Sequence, residues 1–251
     1  MNSLGKVVFG ASALLALPAY AADVDAAIVF AVDMSASVGS ATADMLREGH
    51  AAAMYAPEVI TAITHNRIGC VGITYFEWSS RGHLHRVLPW TRVCGLNDGK
   101  AVASVILKRA QRGYGRAGGD TSISFAIEEG SRLLDQFPGG APRKVIDIAS
   151  NGTNNDGLPL QQSRLQAIAK GYTINAIVIN PLIRSVRYDL TSYFAENVIG
   201  GPRAFVIAPA SKSDYAVALR RKLVDEIGLS IDNRSIGGML KVMVCNCEHP
   251  Q

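Results

Sequence analysis

Residues 26–37 read AAIVFAVDMSAS, in which an unbroken apolar run from Ala26 to Val32 leads directly into Asp33 and two serines. A run of this kind is typical of a strand that is covered on both faces. Further strand-like runs occur at 145–149, 173–179 and 204–207. Helical patterns lie between the strands, at 42–53, after Pro57, and at 98–109, 123–137, 160–170, 189–197 and 214–227. This alternation predicts an α/β fold with a parallel sheet and helices on both faces.

Two neighbouring segments, 68–77 and 84–93, are rich in β-branched and aromatic residues and predict an antiparallel hairpin that turns near Arg81 and Gly82. Cys70 opens the first segment and Cys94 closes the second. Because paired strands bring such positions opposite one another, we expect a Cys70–Cys94 disulfide.

The first 21 residues have the pattern of a signal peptide: Lys6, an apolar stretch, and then Ala19-Tyr20-Ala21. We therefore expect a protein exported to the periplasm or the exterior, where disulfides are stable. The predicted organisation is a signal peptide at 1–21, one domain at 22–229 and a C-terminal tail or edge extension at 230–251.

Composition excludes several classes of function. The chain of 251 residues is 48% hydrophobic and 18% charged, so it can bury a sizeable core. Its formal charge of +4 is spread without a run of five like charges, which argues against a nucleic-acid partner. After the N-terminus no apolar run reaches the length of a membrane-spanning helix, so we expect no membrane span in the mature chain.

Three polar clusters fall at predicted strand ends or at a helix start: 33–37, 118–122 and 150–156. Ligands of open parallel sheets bind beyond the carboxyl ends of the strands. Carboxylate, hydroxyl and amide oxygens there suit a hard cation such as Mg²⁺. The alternative is that Asp33, Ser35 and Ser37 cap the following helix, because Asp and Ser are favoured at that position.

The first cluster, Asp33-x-Ser35-x-Ser37, together with Gly119-x-Thr121 and the polar loop after the fourth strand, resembles the metal-ion-dependent adhesion site of von Willebrand factor type A domains. More narrowly, five blocks resemble an exported bacterial family of unknown function that is itself similar to that domain. They are Glu77-Trp78-Ser79, Pro89-Trp90-Thr91, Gly119-x-Thr121-Ser122-Ile123-Ser124, Asn154-Asn155-Asp156-Gly157 and Val198-Ile199-Gly200-Gly201-Pro202.

The resemblance implies a three-layer Rossmann-like sandwich, with a mostly parallel central sheet and one antiparallel edge strand. It also implies a divalent ion, Mg²⁺ or else Mn²⁺ or Ca²⁺, at the top of the sheet. The matching ligand positions are Asp33, Ser35, Ser37 and Thr121. Asn151 stands where the family usually has an aspartate, and Asp156 is a further candidate despite its different spacing.

The leading hypothesis is a non-enzymatic module that binds a protein ligand through a carboxylate offered to the metal, with the loops near 80, 115 and 153 as the rim. The first alternative is a metal-assisted hydrolase in the same pocket, with Asp156 or Glu77 as base. The second is a metal-free scaffold.

Two further motifs lie outside the three polar clusters. Cys245, Cys247 and His249 form a tail that suits a metal, a local disulfide or free thiols. The string Gly113-x-Gly115-x-x-Gly118 follows a helix instead of the first strand, so it predicts a flexible loop rather than a dinucleotide site.

Overall fold

The computed structural model describes residues 23–109, 119–179, 189–228 and 241–245. Within these ranges seven strands form one sheet in the order β3-β2-β1-β4-β5-β6-β7. The strands are β1 (Ala26–Asp33), β2 (Val71–Trp78), β3 (Leu84–Val93), β4 (Lys144–Ser150), β5 (Thr173–Val178), β6 (Phe205–Pro209) and β7 (Lys241–Cys245). Only β3 runs antiparallel, paired with β2 at one edge, and every other pairing is parallel.

Helices cover both faces of this sheet and complete three layers. They are α1 (Gly39–Ala53), α2 (Pro57–Thr64), α3 (Leu96–Arg109), α4 (Ile123–Asp135), α5 (Leu160–Ala169), α6 (Leu190–Asn197) and α7 (Tyr215–Gly228). One core lies under α1, α2, α3 and α7, and a second lies under α4, α5 and α6. Alternate residues of β1 serve the two cores: Ile28 and Phe30 enter the first, and Ala27 and Val29 the second. This confirms the predicted three-layer α/β sandwich with one antiparallel edge strand.

The strand order places a crevice between β1 and β4. On one side of β1 the next strands in the sheet are β2 and β3, and on the other side they are β4, β5 and β6. Val32 pairs with Ala149, so Asp33 and Ser150 leave neighbouring strands side by side. Such a reversal of strand order is where open α/β sheets bind their ligands.

The predicted hairpin and disulfide are both present. β2 and β3 pair with Trp78 opposite Leu84, and the turn contains Gly82 at φ +81°, a conformation that favours glycine. Cys70 and Cys94 are joined by a disulfide at the opposite end of the pair.

Several boundaries differ from the expectation. Helix α1 begins at Gly39 instead of residue 42, and α3 begins at Leu96 instead of residue 98. Beyond residue 230, the stretch 241–245 adds a parallel edge strand to β6, as an edge extension would. The predicted signal peptide, the glycine string at 113–118, and Cys247 and His249 lie outside the described residues. No helix within the described ranges is long and apolar enough to cross a membrane.

Candidate functional site

Asp33 occupies the centre of the crevice, at the last position of β1. Its side chain is fully buried: Oδ1 accepts a hydrogen bond from the backbone N–H of Ser35 at 2.7 Å, and Oδ2 accepts one from Ser150 Oγ at 2.6 Å. Burial raises the pKa of Asp33 above its ordinary value, and the hydrogen bonds from Ser150 and Ser35 act in the opposite direction. The N-cap of α1 is Val38, with no side-chain cap, so the capping alternative for this cluster is wrong.

The two serines of the first cluster lie beside Asn151. Ser35 Oγ is 3.2 Å from Ser37 Oγ, and Ser37 Oγ donates to Asn151 Oδ1 at 2.9 Å. The Asn151 amide donates back to the Ser37 carbonyl oxygen at 3.0 Å. Ser35 is buried and Ser37 is exposed, so this chain of oxygens runs from the crevice floor to its mouth.

Thr121 approaches the same point from a third loop. A Cβ on Gly152 would lie 3.2 Å from Thr121 Oγ1, which places the threonine hydroxyl against the loop after β4. The Gly119 carbonyl oxygen accepts from the N–H of Ala36 at 3.3 Å, which ties the loop before α4 to the first cluster. The clusters at 33–37, 119–122 and 150–156 therefore converge on one rim of the sheet, as the parallel topology leads one to expect.

The loop after β4 also clamps the start of α4. Asn155 Oδ1 accepts from Thr121 N–H at 2.7 Å, and Asn154 Oδ1 accepts from Ser124 N–H at 2.9 Å. Ser122 occupies the N-cap of α4 but makes no side-chain cap, because its hydroxyl donates to the Asp156 carbonyl oxygen at 3.0 Å. Asparagines from a distant loop thus do the capping and fix the position of Thr121.

The carboxylate of Asp156 bonds the turn between β2 and β3, and not Ser35 or Ser37. Its Oδ2 accepts from the backbone N–H of Arg81 at 2.6 Å, in the turn between β2 and β3. Nearby, Ser80 Oγ accepts from the N–H of Asp120 at 3.1 Å. These bonds join the rim loops near 80 and 153, while the loop near 115 lies outside the described residues. The contacts of Asp156 give it a role in holding the rim together.

A buried ion pair lies next to the crevice, between α1 and β2. Arg47 donates from Nε to Glu77 Oε1 at 2.6 Å and from Nη2 to Oε2 at 3.0 Å, with Glu77 fully buried. Arg47 Nη2 also lies 3.7 Å from the sulfur of Met34, the residue after Asp33. Both Glu77 oxygens are therefore occupied, which argues against Glu77 as the base of the hydrolase alternative.

The donor set around Asp33 is rich in hydroxyl oxygens and poor in charge. Across the described ranges, no Lys, Arg or His forms an ion pair with Asp33, and no group of three His, Cys, Asp or Glu side chains is placed to hold a metal. A buried carboxylate is costly without a partner of opposite charge. Oxygen ligands at this point fit a hard divalent cation such as Mg²⁺.

Two residues outside the expected set of ligands support the site from behind. Ser150 donates to Asp33, and Tyr193 on α6 accepts from the N–H of Asn154 through its hydroxyl at 3.1 Å. The position of Ser150 as the last residue of a buried strand, directly before Asn151, was the available signal. Nothing along the chain pointed to Tyr193, because its role depends on the packing of α6.

Comparison with solved structures places the fold. The chain is similar to proximal thread matrix protein 1 from the mussel byssus, with a TM-score of 0.60 and 19% identity over 83% of this chain and 49% of that one. It is similar to the vWF domain of the type V pili tip protein Mfa5 from Porphyromonas gingivalis, with a TM-score of 0.55 and 11% identity over 86% and 99% of the two chains. It is also similar to the pilus adhesin SpaC from Lactobacillus rhamnosus GG, with a TM-score of 0.59 and 14% identity over 81% and 31%.

The fold is therefore that of a von Willebrand factor type A-like domain. Residues 23–231 match the family model described as "Protein of unknown function (DUF1194)", and the chain belongs to that family. No curated protein sequence matches the chain. The chain spans about half the length of the mussel protein and about a third of the pilus adhesin. One structure of the mussel protein is described as having a zinc-occupied MIDAS motif, the metal-ion-dependent adhesion site.

Proposed function

We propose that this chain is an exported, non-enzymatic protein-binding module that uses a divalent ion at the crevice between β1 and β4. The observation that carries the proposal is the Asp33 carboxylate, which is fully buried, has no cationic partner among the described residues, and accepts from Ser150 Oγ, where Ser35 and Ser37 and the loop contacted by Thr121 meet. A divalent cation supplies the missing positive charge.

Ser35, Ser37 and Thr121 are the residues that would hold the ion directly. Asp33 and Asn151 would support it, since both already hydrogen-bond the hydroxyls or loops around it. When bound, the ion supplies an electrophilic centre that accepts an oxygen from a partner. Because Asp33 is the only carboxylate among these five residues, the loaded site keeps a net positive charge and favours an acidic group, which we propose to be a carboxylate of a protein ligand.

Export and adhesion-type binding are supported from two directions. The Cys70–Cys94 disulfide suits an oxidising compartment, which agrees with the signal-peptide pattern at 1–21. Two similar structures are described as a pilus adhesin and the tip protein of a pilus. We propose the periplasm or the cell exterior as the location.

Metal titration of the purified protein tests the proposal. We expect Mg²⁺ and Mn²⁺ to bind the wild type with a stoichiometry of about one in isothermal titration calorimetry. Ser35→Ala and Thr121→Ala should each weaken binding by about tenfold or more, equivalent to about 1.4 kcal/mol. Ser40→Ala is the matched control, because Ser40 is an exposed serine in the first turn of α1, outside the three loops.

Failure of the wild type to bind either ion would leave the metal-free scaffold as the better description. Equal binding by wild type and Thr121→Ala would remove the third loop from the site. Circular dichroism of each variant establishes that it is folded, so that lost binding is not confused with lost structure. A second assay, capture of protein ligands from the native bacterium with and without chelator, tests the dependence of partner binding on metal.

A further inference from the structure

A polar cavity lies at the end of the parallel strands opposite to the metal site, where β4 and β5 begin. Its volume is about 170 Å³, smaller than the roughly 300–1,000 Å³ of pockets for drug-sized ligands, so it suits a small molecule. Its lining includes Arg143, Thr173, Asn175, Arg203 and Glu226. The metal-site residues lie at the other ends of these strands, so the two sites are separate.

One buried polar atom in this wall, the Nε of Arg143, lacks a partner within the described chain. Glu226 on α7 is 2% exposed; its Oε1 accepts from Asn175 Nδ2 at 2.6 Å and from Lys222 Nζ, and its carboxyl group also hydrogen-bonds the buried carboxyl group of Asp147. Arg143 donates from both Nη atoms to the carbonyl oxygens of Glu226 and Ile227, and its Nε–H has no acceptor. Unpaired buried groups of this kind are costly, and a ligand that pairs with them gains that free energy.

Arg203 is held at this cavity by a constrained turn, and it directly follows the block Val198-Ile199-Gly200-Gly201-Pro202 described above. It is exposed and has φ +57°, the left-handed conformation that is uncommon for residues other than glycine. Gly201 precedes it at φ +89°, and a Cβ there would lie 2.2 Å from the Tyr172 carbonyl oxygen. Thr173 Oγ1 also donates to the Pro202 carbonyl oxygen at 3.1 Å. Backbone strain of this kind persists only where the surrounding structure enforces it.

The charges around the cavity favour an anion. The lining carries three cations, Arg143, Lys144 and Arg203, against the single carboxyl group of Glu226. Behind it Lys222 pairs with Asp147 and Glu226, and Asp25, whose oxygens accept from the backbone N–H groups of residues 68–70, adds one negative charge near Arg143. Burial, and then the Asp147 carboxylate, raise the pKa of Glu226 to about 7, while Lys222 and Asn175 act in the opposite direction. Near neutral pH, Glu226 therefore carries a proton part of the time, and in that state it adds no negative charge to the wall.

We propose that this cavity binds a small oxyanion, a carboxylate or a phosphate, between the guanidinium groups of Arg203 and Arg143 and the carboxyl group of Glu226. Guanidinium groups recognise both anions through charge-assisted hydrogen bonds. Binding takes up a proton on Glu226, because an ionised carboxylate in the wall would repel the ligand. The two ligand classes share this chemistry, and the choice between them is experimental.

Isothermal titration of the full chain with sodium acetate and with inorganic phosphate tests the proposal. At about pH 6 we expect at least one anion to bind, and the tighter of the two identifies the ligand class. Acetate serves for the pH comparison, because it remains ionised at both about pH 6 and about pH 8. Because binding requires the uptake of one proton, affinity falls by about tenfold for each pH unit above the pKa of Glu226. The affinity for acetate should therefore fall by about tenfold between about pH 6 and about pH 8.

Three variants sharpen this test. Arg203→Ala should weaken anion binding by about tenfold or more, whereas Arg92→Ala, which removes an exposed arginine from β3, should bind like the wild type. Glu226→Gln should bind with little dependence on pH, because its neutral amide does not titrate. Asp33→Ala should bind the anion like the wild type, so this proposal and the metal proposal fail independently.

Absence of binding by both anions at both pH values would overturn the proposal. Equal affinity of wild type and Arg203→Ala would overturn it as well, since the strained arginine would then have no part in recognition. An acetate affinity that is the same at both pH values in the wild type would overturn the role of Glu226.

Discussion

Asn151 determines the charge of the candidate metal site. Its side chain accepts from Ser37 Oγ and donates to the Ser37 carbonyl oxygen, so a neutral amide satisfies both groups without a metal. An aspartate at this position, which the resemblance to the adhesion site leads one to expect, would add a second carboxylate beside Asp33. The departure therefore lowers the electrostatic attraction for a cation while keeping the loops together.

Replacing Asn151 with Asp should strengthen metal binding and weaken the metal-free protein. The added negative charge should raise Mg²⁺ affinity by about tenfold, equivalent to about 1.4 kcal/mol. Without metal, the new carboxylate faces the Ser37 carbonyl oxygen that the amide had bonded, so the melting temperature should fall below that of the wild type. Calorimetric titration and thermal unfolding, with Mg²⁺ and with chelator, measure both effects. An unchanged Mg²⁺ affinity would contradict the assignment of Asn151 to the site.

Glu226 makes stability depend on pH. Its ordinary pKa of 4.5 is raised to about 7 in the folded protein, and burial also raises the pKa of its neighbour Asp147. A raised carboxyl pKa means that the folded state holds a proton which the unfolded chain releases more easily. The contribution of the protonated Glu226 to the free energy of unfolding is therefore fully present below about pH 4.5 and is lost as the pH rises through about 7.

Comparison of wild type with Glu226→Gln isolates this effect. As the pH rises from about 5 to about 8, the difference in free energy of unfolding should shift in favour of the Gln variant by on the order of 2–3 kcal/mol. Urea unfolding of both proteins at several pH values gives this difference directly. Buried His50, whose pKa is lowered to about 4 mainly by burial, makes an opposite contribution, but this contribution is the same in both proteins and cancels in the difference. A difference that stays constant with pH would show that Glu226 does not titrate in this range.

Among the elements, the hairpin of β2 and β3 carries both the rim of the metal site and the disulfide. At its turn, Arg81 bonds Asp156 and Ser80 bonds Asp120. At its far end the Cys70–Cys94 bond closes a segment with a sequence separation of 24. The hairpin, whose turn faces the proposed partner, is thus held by a covalent bond at its opposite end.

Loss of the disulfide should destabilise the protein without removing metal binding. Closing a loop of this length lowers the free energy of the folded state relative to the unfolded chain by about 3–4 kcal/mol in the chain-entropy model. The double substitution Cys70→Ser and Cys94→Ser should therefore lower the free energy of unfolding by about that amount, measured with urea. Mg²⁺ affinity of the folded variant should match the wild type, because the disulfide and the metal site lie at opposite ends of β2. Unchanged stability would contradict the expectation.

At the scale of the whole molecule, β7 completes the sheet on one side. It pairs in parallel with β6 from Phe205 to Pro209, which are all buried. Without β7 the unpaired N–H and C=O groups of β6 would form a new edge, and unpaired edges invite association with another chain.

Ending the chain after Gly228 should therefore promote self-association. We expect a higher apparent mass than for the full chain in size-exclusion chromatography with light scattering, and greater loss to aggregation on heating. The control ends after Cys245, which keeps β7 and removes only the residues beyond it. Identical behaviour of the two truncations would show that β7 does not protect this edge.

Much of this architecture is determined by the chain itself. Apolar runs such as 26–32 can only be buried on both faces, which requires helices above and below the sheet. The glycine turn at 82 and the flanking cysteines predict the hairpin and its disulfide, since strand pairing fixes which positions face each other. Polar clusters that follow parallel strands meet at one rim of the sheet, so the convergence of residues 33–37 and Asn151 could also be predicted from the sequence.

The tertiary structure alone decided which side chains meet. The bond from Ser150 to Asp33 spans 117 positions of sequence, and that from Asn155 to Thr121 spans 34. Neither contact leaves a periodic signal, because each depends on strand register and on how a loop folds across its neighbour. The same holds for Glu226 and Arg143, brought together from α7 and the start of β4. Patterns along the chain encode burial and direction, but only the packed fold sets the distances on which binding chemistry depends.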